Sequence, residues 1–249
     1  MTNVVKFSIV ALIAMASVVI FSCNKDTQAT KEAIQDNVVQ SRTLTGLCED
    51  DLGGCPNVPY TTKIYTIHEG TPAYPDCEFT IELKIRWCPP NKLDVVYVGI
   101  GYNHLDPDCN QFDIDTDNPL IATAVIEQAE KDLIKAGTIR AVLKYASLPF
   151  CGVNPAMTVN LFQSACRKTC LIKSKEEGYK VVVLPCGSSC CKSVNEVCID
   201  PLTGKIKITE ISSATPASPC TISGELPCPL GTVHTTPCTP TCISIDQGG

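Results

Sequence analysis

Seventeen of the 249 residues are cysteine, and no two are spaced Cys-x-x-Cys. No other feature limits the possible folds as strongly. Structural zinc sites use two short cysteine pairs, and thioredoxin-like and haem-attachment chemistry both need the missing spacing. Cys166-x3-Cys170 and Cys186-x3-Cys190-Cys191-x6-Cys198 are therefore read as disulfide partners rather than zinc or iron–sulfur ligands. Such a density belongs in an oxidising compartment, because cytosolic thiols are kept reduced. The candidates for pairing are Cys48, Cys55, Cys77, Cys88, Cys109, Cys151, Cys166, Cys170, Cys186, Cys190, Cys191, Cys198, Cys220, Cys228, Cys238 and Cys242. The set is even and leaves no free thiol to expect as a nucleophile. The seventeenth, Cys23, stands apart.

Ahead of Cys23 come one cation, Lys6, an apolar run over residues 7–21, and Ser22. A short basic start, an apolar core and a small residue before the cut describe an export signal. An uncleaved anchor needs about 18 or more apolar residues, more than this run supplies. Ordinary cleavage after Ala14-Met15-Ala16 would leave an apolar stub at residues 17–21. Ile20-Phe21-Ser22-Cys23 resembles the bacterial lipobox. That resemblance implies that residues 1–22 are a lipoprotein signal peptide. It also implies that Cys23 is lipidated, palmitate included, and becomes the first residue of the mature chain. The following Asn24-Lys25-Asp26 resembles the short Lys/Asp tags that route some lipoproteins to the outer face of the outer membrane. The implied location is the cell envelope, lipid-anchored in the outer membrane and surface-exposed, with the membrane as first partner.

Without the leader the chain carries 19 Lys plus Arg against 26 Asp plus Glu, a net charge of −7. That excludes nucleic acid and anionic membrane surfaces as charge-driven partners, since both demand a basic patch. Residues 23–46 are polar and poor in large apolar side chains, and read as a tether spanning about 26 Å as a flexible coil. A folded domain is expected over residues 47–211, with a Pro/Thr/Cys-rich tail over 212–249. Proline blocks regular pairing in that tail, which reads as stapled loop.

Within the domain, the odd positions from Cys77 to Trp87 are Cys, Phe, Ile, Leu, Ile and Trp, while charged residues and Thr fill the even ones. Strict alternation of this length predicts a half-buried strand. Pro89-Pro90 stops that strand and residues 93–100 predict its antiparallel partner, while residues 61–68 predict another strand. One clear helix is expected over about 119–136, from Asp117-Asn118-Pro119 at its start to Gly137 at its stop. Residues 138–145 and 157–172 lean towards strand. Residues 179–184, 191–199 and 205–211 predict a meander, with Asp200-Pro-Leu-Thr-Gly204 as its second turn. The fold class is α+β, mainly antiparallel strands, disulfide-rich.

Geometry constrains the pairing. Cys77 and Cys88, at opposite ends of one strand, lie about 36 Å apart at about 3.3 Å per residue, so they need different partners. Cys190 and Cys191 point to opposite faces and need separate partners too. Cys48 with Cys55, and Cys238 with Cys242, are close enough to close small local loops.

Few residues offer chemistry. Asp113, Asp115 and Asp117 alternate as in the first half of a calcium loop, where hard cations want converging carboxylates. Asn118 stands where that loop needs glycine, and the twelfth position is Ala124 rather than Glu. The other reading is that these acids solvate a loop and complement the following helix. Calcium is the only cofactor the sequence offers. His68, His104 and His234 are the only histidines, with no Gly-x-Ser-x-Gly or His-Glu-x-x-His around them. Trp87 reads as core or as a plug at the strand end, and Tyr60, Tyr74 and Tyr102 as the better platforms for a glycan. The expected function is a lipid-anchored, non-enzymatic surface protein with a binding, adhesion or structural role, its ligand a protein or glycan. The alternative is a secreted-type hydrolase using Asp/Glu carboxylates.

Overall fold

A computed structural model describes residues 55, 58–153, 156–174, 178–187, 189–215 and 227–246. Cys23, the tether, Cys48 and Cys220 lie outside the described residues. Among the described residues, ten strands and two α-helices follow one another as β1 (Thr61–Ile67), β2 (Phe79–Cys88), β3 (Lys92–Tyr102), α1 (Asn110–Asp117), α2 (Ala122–Tyr145), β4 (Met157–Ser164), β5 (Cys166–Ser174), β6 (Gly178–Pro185), β7 (Cys190–Ile199), β8 (Ile206–Ala214), β9 (Thr232–Thr235) and β10 (Thr239–Pro240). The fold is sheet-rich, with most strand pairs antiparallel, and heavily cross-linked.

β3 organises the sheet. Along one side it pairs antiparallel with β2, which in turn pairs with β1. On its other side it takes two partners in succession: β4, parallel over Lys92–Val96, and β6, antiparallel over Gly99–Gly101. One limb continues from β4 to β7 and β8, the other from β6 to β5 and the tail strands. β3 is paired along both edges and is buried from Leu93 to Tyr102, apolar there except for Asp94 and its glycines. The parallel β3–β4 pairing requires a crossover, which α1 and α2 supply.

The alternation in β2 does what it predicts. Phe79, Ile81, Leu83 and Ile85 point into the main core, while Thr80, Lys84 and Arg86 are half-buried on the other face. Trp87 is half-buried against that core at the strand end, its ring stacked on Tyr145 at 5.7 Å and 7°. α2 lays Ile126, Ala129, Leu133, Ile134, Ala141 and Val142 onto the core face.

The helix differs from its expected span. It starts at Ala122, after a turn in which the Asn118 side chain accepts from the Leu120 amide, and it runs through Gly137 to Tyr145. Residues 138–145 are thus helical rather than strand. Gly137 stops nothing: a Cβ there would stand 2.9 Å from Ile81 Cγ2 and 3.1 Å from Leu83 Cδ1. Glycine lets the helix backbone approach the sheet. The segment holding Asp113, Asp115 and Asp117 is itself a helix, α1, and not a loop.

Two further corrections concern strands. The expected meander breaks, because β6 pairs with β3 and β5 while β7 pairs with β4 and β8. The hairpin from β7 to β8 does turn through Asp200–Gly204, where Gly204 takes φ +67° and the Asp200 carboxylate accepts from Leu202 N and Thr203 Oγ1. The tail is stapled, but it also pairs: β9 and β10 lie along β5, an edge position where Pro240 is tolerated.

Six disulfides are defined: Cys55–Cys88, Cys77–Cys109, Cys151–Cys198, Cys170–Cys228, Cys186–Cys238 and Cys191–Cys242. Cys166 and Cys190 are disulfide-bonded as well. Cys77 and Cys88 have different partners, as strand geometry demands, and so do Cys190 and Cys191. The local loops are not formed, because Cys55 bonds to Cys88, Cys238 to Cys186 and Cys242 to Cys191.

Candidate functional site

The calcium candidates do not converge. Asp113, Asp115 and Asp117 sit at successive i, i+2 positions of α1, and at about 100° per residue neighbouring members point about 200° apart. Asp113 accepts from the Tyr102 hydroxyl at 3.0 Å, and Asp115 from the Tyr74 hydroxyl at 2.8 Å. Two of the three proposed glycan platforms are thereby tied down, with burial and Asp115 pushing the Tyr74 hydroxyl up to about 12. The third, Tyr60, lies beneath the Arg86 guanidinium at 4.2 Å. Among the histidines, His68 contacts Glu78, and His234 sits in β9 opposite Leu171. A cluster of Cys55, Cys88 and Asp94 has metal-ligand spacing, but its two sulfurs are joined to each other.

Two networks hold charge inside the protein. Asp94 in β3, fully buried, accepts from Arg86 Nε and Nη2 through one oxygen and from Asn160 Nδ2 at 2.6 Å through the other. Between α2 and the sheet, Glu130 accepts from Tyr97 Oη at 2.7 Å and from Arg167 Nη2 at 2.5 Å. Burial raises both the Glu130 carboxyl and the Tyr97 hydroxyl, and Arg167 offsets part of the shift. These groups bond chiefly to one another, although Arg167 Nη1 is left without a partner. They hold strands and helix in place.

A different arrangement opens to solvent. α2 covers β1, β2 and β3, and on the β4–β7–β8 limb the C-terminal segment takes over, with Ile243 and Ile245 joining the main core. Beside them lies a recess of about 140 Å³. Gln163 and Cys191, directly opposite each other in β4 and β7, share a face with Ser193 and form its buried floor. Ser213, Ala214, Thr215 and Ser244 form an exposed rim, with Glu210 half-buried between. The Cys191–Cys242 disulfide and a 2.7 Å bond from Gln163 Nε2 to the Ile243 carbonyl fix the tail wall to the floor. The Glu210 amide donates to Asp246 at 3.3 Å, fixing the same wall to β8.

Two buried side-chain acceptors on this face have no hydrogen-bond partner. Gln163 Oε1 has no hydrogen-bond partner although the residue is only 3% exposed. Asn195, next along the same face, donates to Ser193 Oγ at 3.0 Å, and its own Oδ1 also lacks a partner. Both oxygens are sealed from solvent, as are the unpartnered Tyr65 hydroxyl, Thr138 hydroxyl and Arg167 Nη1 elsewhere. Sequence reasoning missed this site because four separated segments build it. The available signal was in β7, where Ser193 and Asn195 occupy inward positions that Val197 shows to be core.

Among the described residues no helix is long and apolar enough to cross a membrane. Compared with known proteins, the chain matches no protein-family model, no curated protein and no solved structure.

Proposed function

We propose that this α+β domain is a lipid-anchored surface protein of the cell envelope, held through Cys23 in the outer membrane, that captures a protein or glycan ligand without chemical turnover. The recess between β4, β7, β8 and the stapled tail is the observation that carries the reading. Its walls are covalently fixed, its rim is exposed, and its floor carries the polar side chains Gln163 and Ser193. A rigid, open, polar concavity suits recognition. The disulfides agree with an exported location, because all fourteen described cysteines are oxidised.

Expression in a bacterium with lipoprotein processing tests the reading. The mature chain should start at a lipidated Cys23, partition into detergent and be digested by protease added to whole cells, and Cys23→Ala should release it or leave it unprocessed. An unlipidated mature start at Ser17 overturns the anchor. Cleavage of glycosidic bonds by the purified chain, lost on replacing an Asp or Glu, overturns the non-enzymatic role in favour of a carboxylate hydrolase.

A further inference from the structure

We infer that the end of the domain where the chain enters at Cys55 is a docking surface for a phospholipid bilayer. The inference rests on the lipid-anchor reading above and adds a second contact, made by the folded domain itself.

Three segments meet at that end of the sheet. The turn between β2 and β3 follows Cys88, which is bonded to Cys55, and its Asn91 carbonyl accepts from Thr158 N near the start of β4. The stretch after α2 joins it, because Asn91 Nδ2 donates to the Ala156 carbonyl and Trp87 stacks on Tyr145. The β7–β8 turn is tied to that stretch: Cys198 is bonded to Cys151, and Ile199, just before the turn, donates its amide to the Pro149 carbonyl.

Large apolar side chains face solvent here. Leu143, Phe150, Val153 and Leu202 are each more than half exposed, and the exposed Tyr145 ring lies on half-buried Trp87. Single exposed apolar residues are normal, whereas a group of them at one end marks an interaction site.

Charge selects the partner. Residues 87–92, 143–153 and 200–205 hold Lys92, Lys144 and Lys205 against one acid, Asp200, in a chain of net charge −6. Asp200 directs its carboxylate to Leu202 N and Thr203 Oγ1. The opposite end of β3 also exposes apolar residues, Leu105, Ile114 and Leu120. There, however, residues 103–121 carry Asp106, Asp108, Asp113, Asp115 and Asp117 and no Lys or Arg. Lipid phosphates repel those carboxylates and attract lysine, whose apolar stem lies along the surface while its ammonium reaches the headgroups. Trp and Tyr favour the same depth, with an apolar body and a polar tip. A lipid at Cys23 would pull on the domain through Cys55, at the lysine-bearing end. A tethered surface meets its membrane intramolecularly, so a modest apolar contact suffices.

Trp87 is the only tryptophan of the chain, so its fluorescence reports on this end alone. The test places the full chain in vesicles of phosphatidylcholine with brominated acyl chains, a short-range quencher, with unbrominated vesicles as reference. Intact mass reads the lipid at Cys23 on the same sample. Trp87 should be quenched. Phe150→Asp and Leu202→Asp should each lower the docked-to-free ratio by about tenfold, the size of returning one large apolar side chain to water. Leu120→Asp, at the opposite end, should change nothing, and all three variants should keep the wild-type melting temperature. An unquenched Trp87 overturns the docking, and leaves the anchor standing where Cys23 is lipidated. Quenching of an unlipidated chain mixed with the vesicles refutes the anchor and keeps the docking. Quenching that survives both Asp variants at this end overturns the proposal. So does cross-linking between copies that Leu202→Asp abolishes while Trp87 stays unquenched, which would seat a second copy on this surface.

Discussion

Arg167 on β5 reaches Glu130 on α2 at 2.5 Å, with both side chains sealed between helix and sheet. The pair spans the two layers where water cannot follow. Removing one partner strands the other as a buried charge. Arg167→Met is expected to cost about 3–5 kcal/mol, whereas Arg167→Met with Glu130→Leu should recover most of the loss. Denaturant midpoints of the two variants check this. Equal losses would mean that the pair does not act as a unit.

The same carboxyl predicts a pH dependence. Burial raises Glu130 above its ordinary value of 4.5, against the pull of Arg167 and Tyr97. An acid more easily protonated in the folded state adds stability below pH 4.5, and that contribution is lost as pH rises through the folded value. The stability of the wild type relative to Glu130→Gln should therefore fall as pH climbs from 4.5. A difference independent of pH would rule the effect out.

Gly137→Ala should destabilise the fold even though alanine favours helix by about 1 kcal/mol. Its Cβ would press on Ile81 and Leu83 at 2.9 and 3.1 Å, and overpacking costs about 1–3 kcal/mol. A thermal melt with disulfides intact decides between them. A raised melting temperature would show that α2 has room to lift.

Peptide mapping of a non-reduced digest should recover Cys55–Cys88, Cys186–Cys238 and Cys191–Cys242, and neither Cys48–Cys55 nor Cys238–Cys242. Cys191→Ser with Cys242→Ser opens a bond of sequence separation 51 and should cost about 4 kcal/mol by loop entropy. It should also widen the recess and weaken whatever binds there.

What could be read from sequence follows the range of the interaction. β2 was legible because alternation is written within eleven residues, from Cys77 to Trp87, and the β7–β8 turn because Gly204 marks a left-handed position. Gly137 misled, since its reason lies in Ile81 and Leu83, more than fifty residues away. The strand order failed similarly: nothing local in residues 178–199 says that β6 belongs to one limb of β3 and β7 to the other. The cysteines announced cross-links but not partners, and adjacency in sequence suggested loops where the chain instead joins distant strands. Of the recess, only the misplaced polarity of Ser193 and Asn195 was visible beforehand.

The Cys55–Cys88 bond has a mechanical consequence. Tension entering the chain from its N-terminal side reaches Cys55 and crosses directly to Cys88, just before β3 begins at Lys92. Both β1 and β2 lie in the slack between, and carry none of the load. Without the bond, a pull that peeled these strands away would lengthen the protein by about 110 Å, at about 3.4 Å for each of the 33 intervening steps. With it, force passes straight to a strand buried from Leu93 to Tyr102, so a pull from the N-terminal side strains the domain without unravelling its first hairpin.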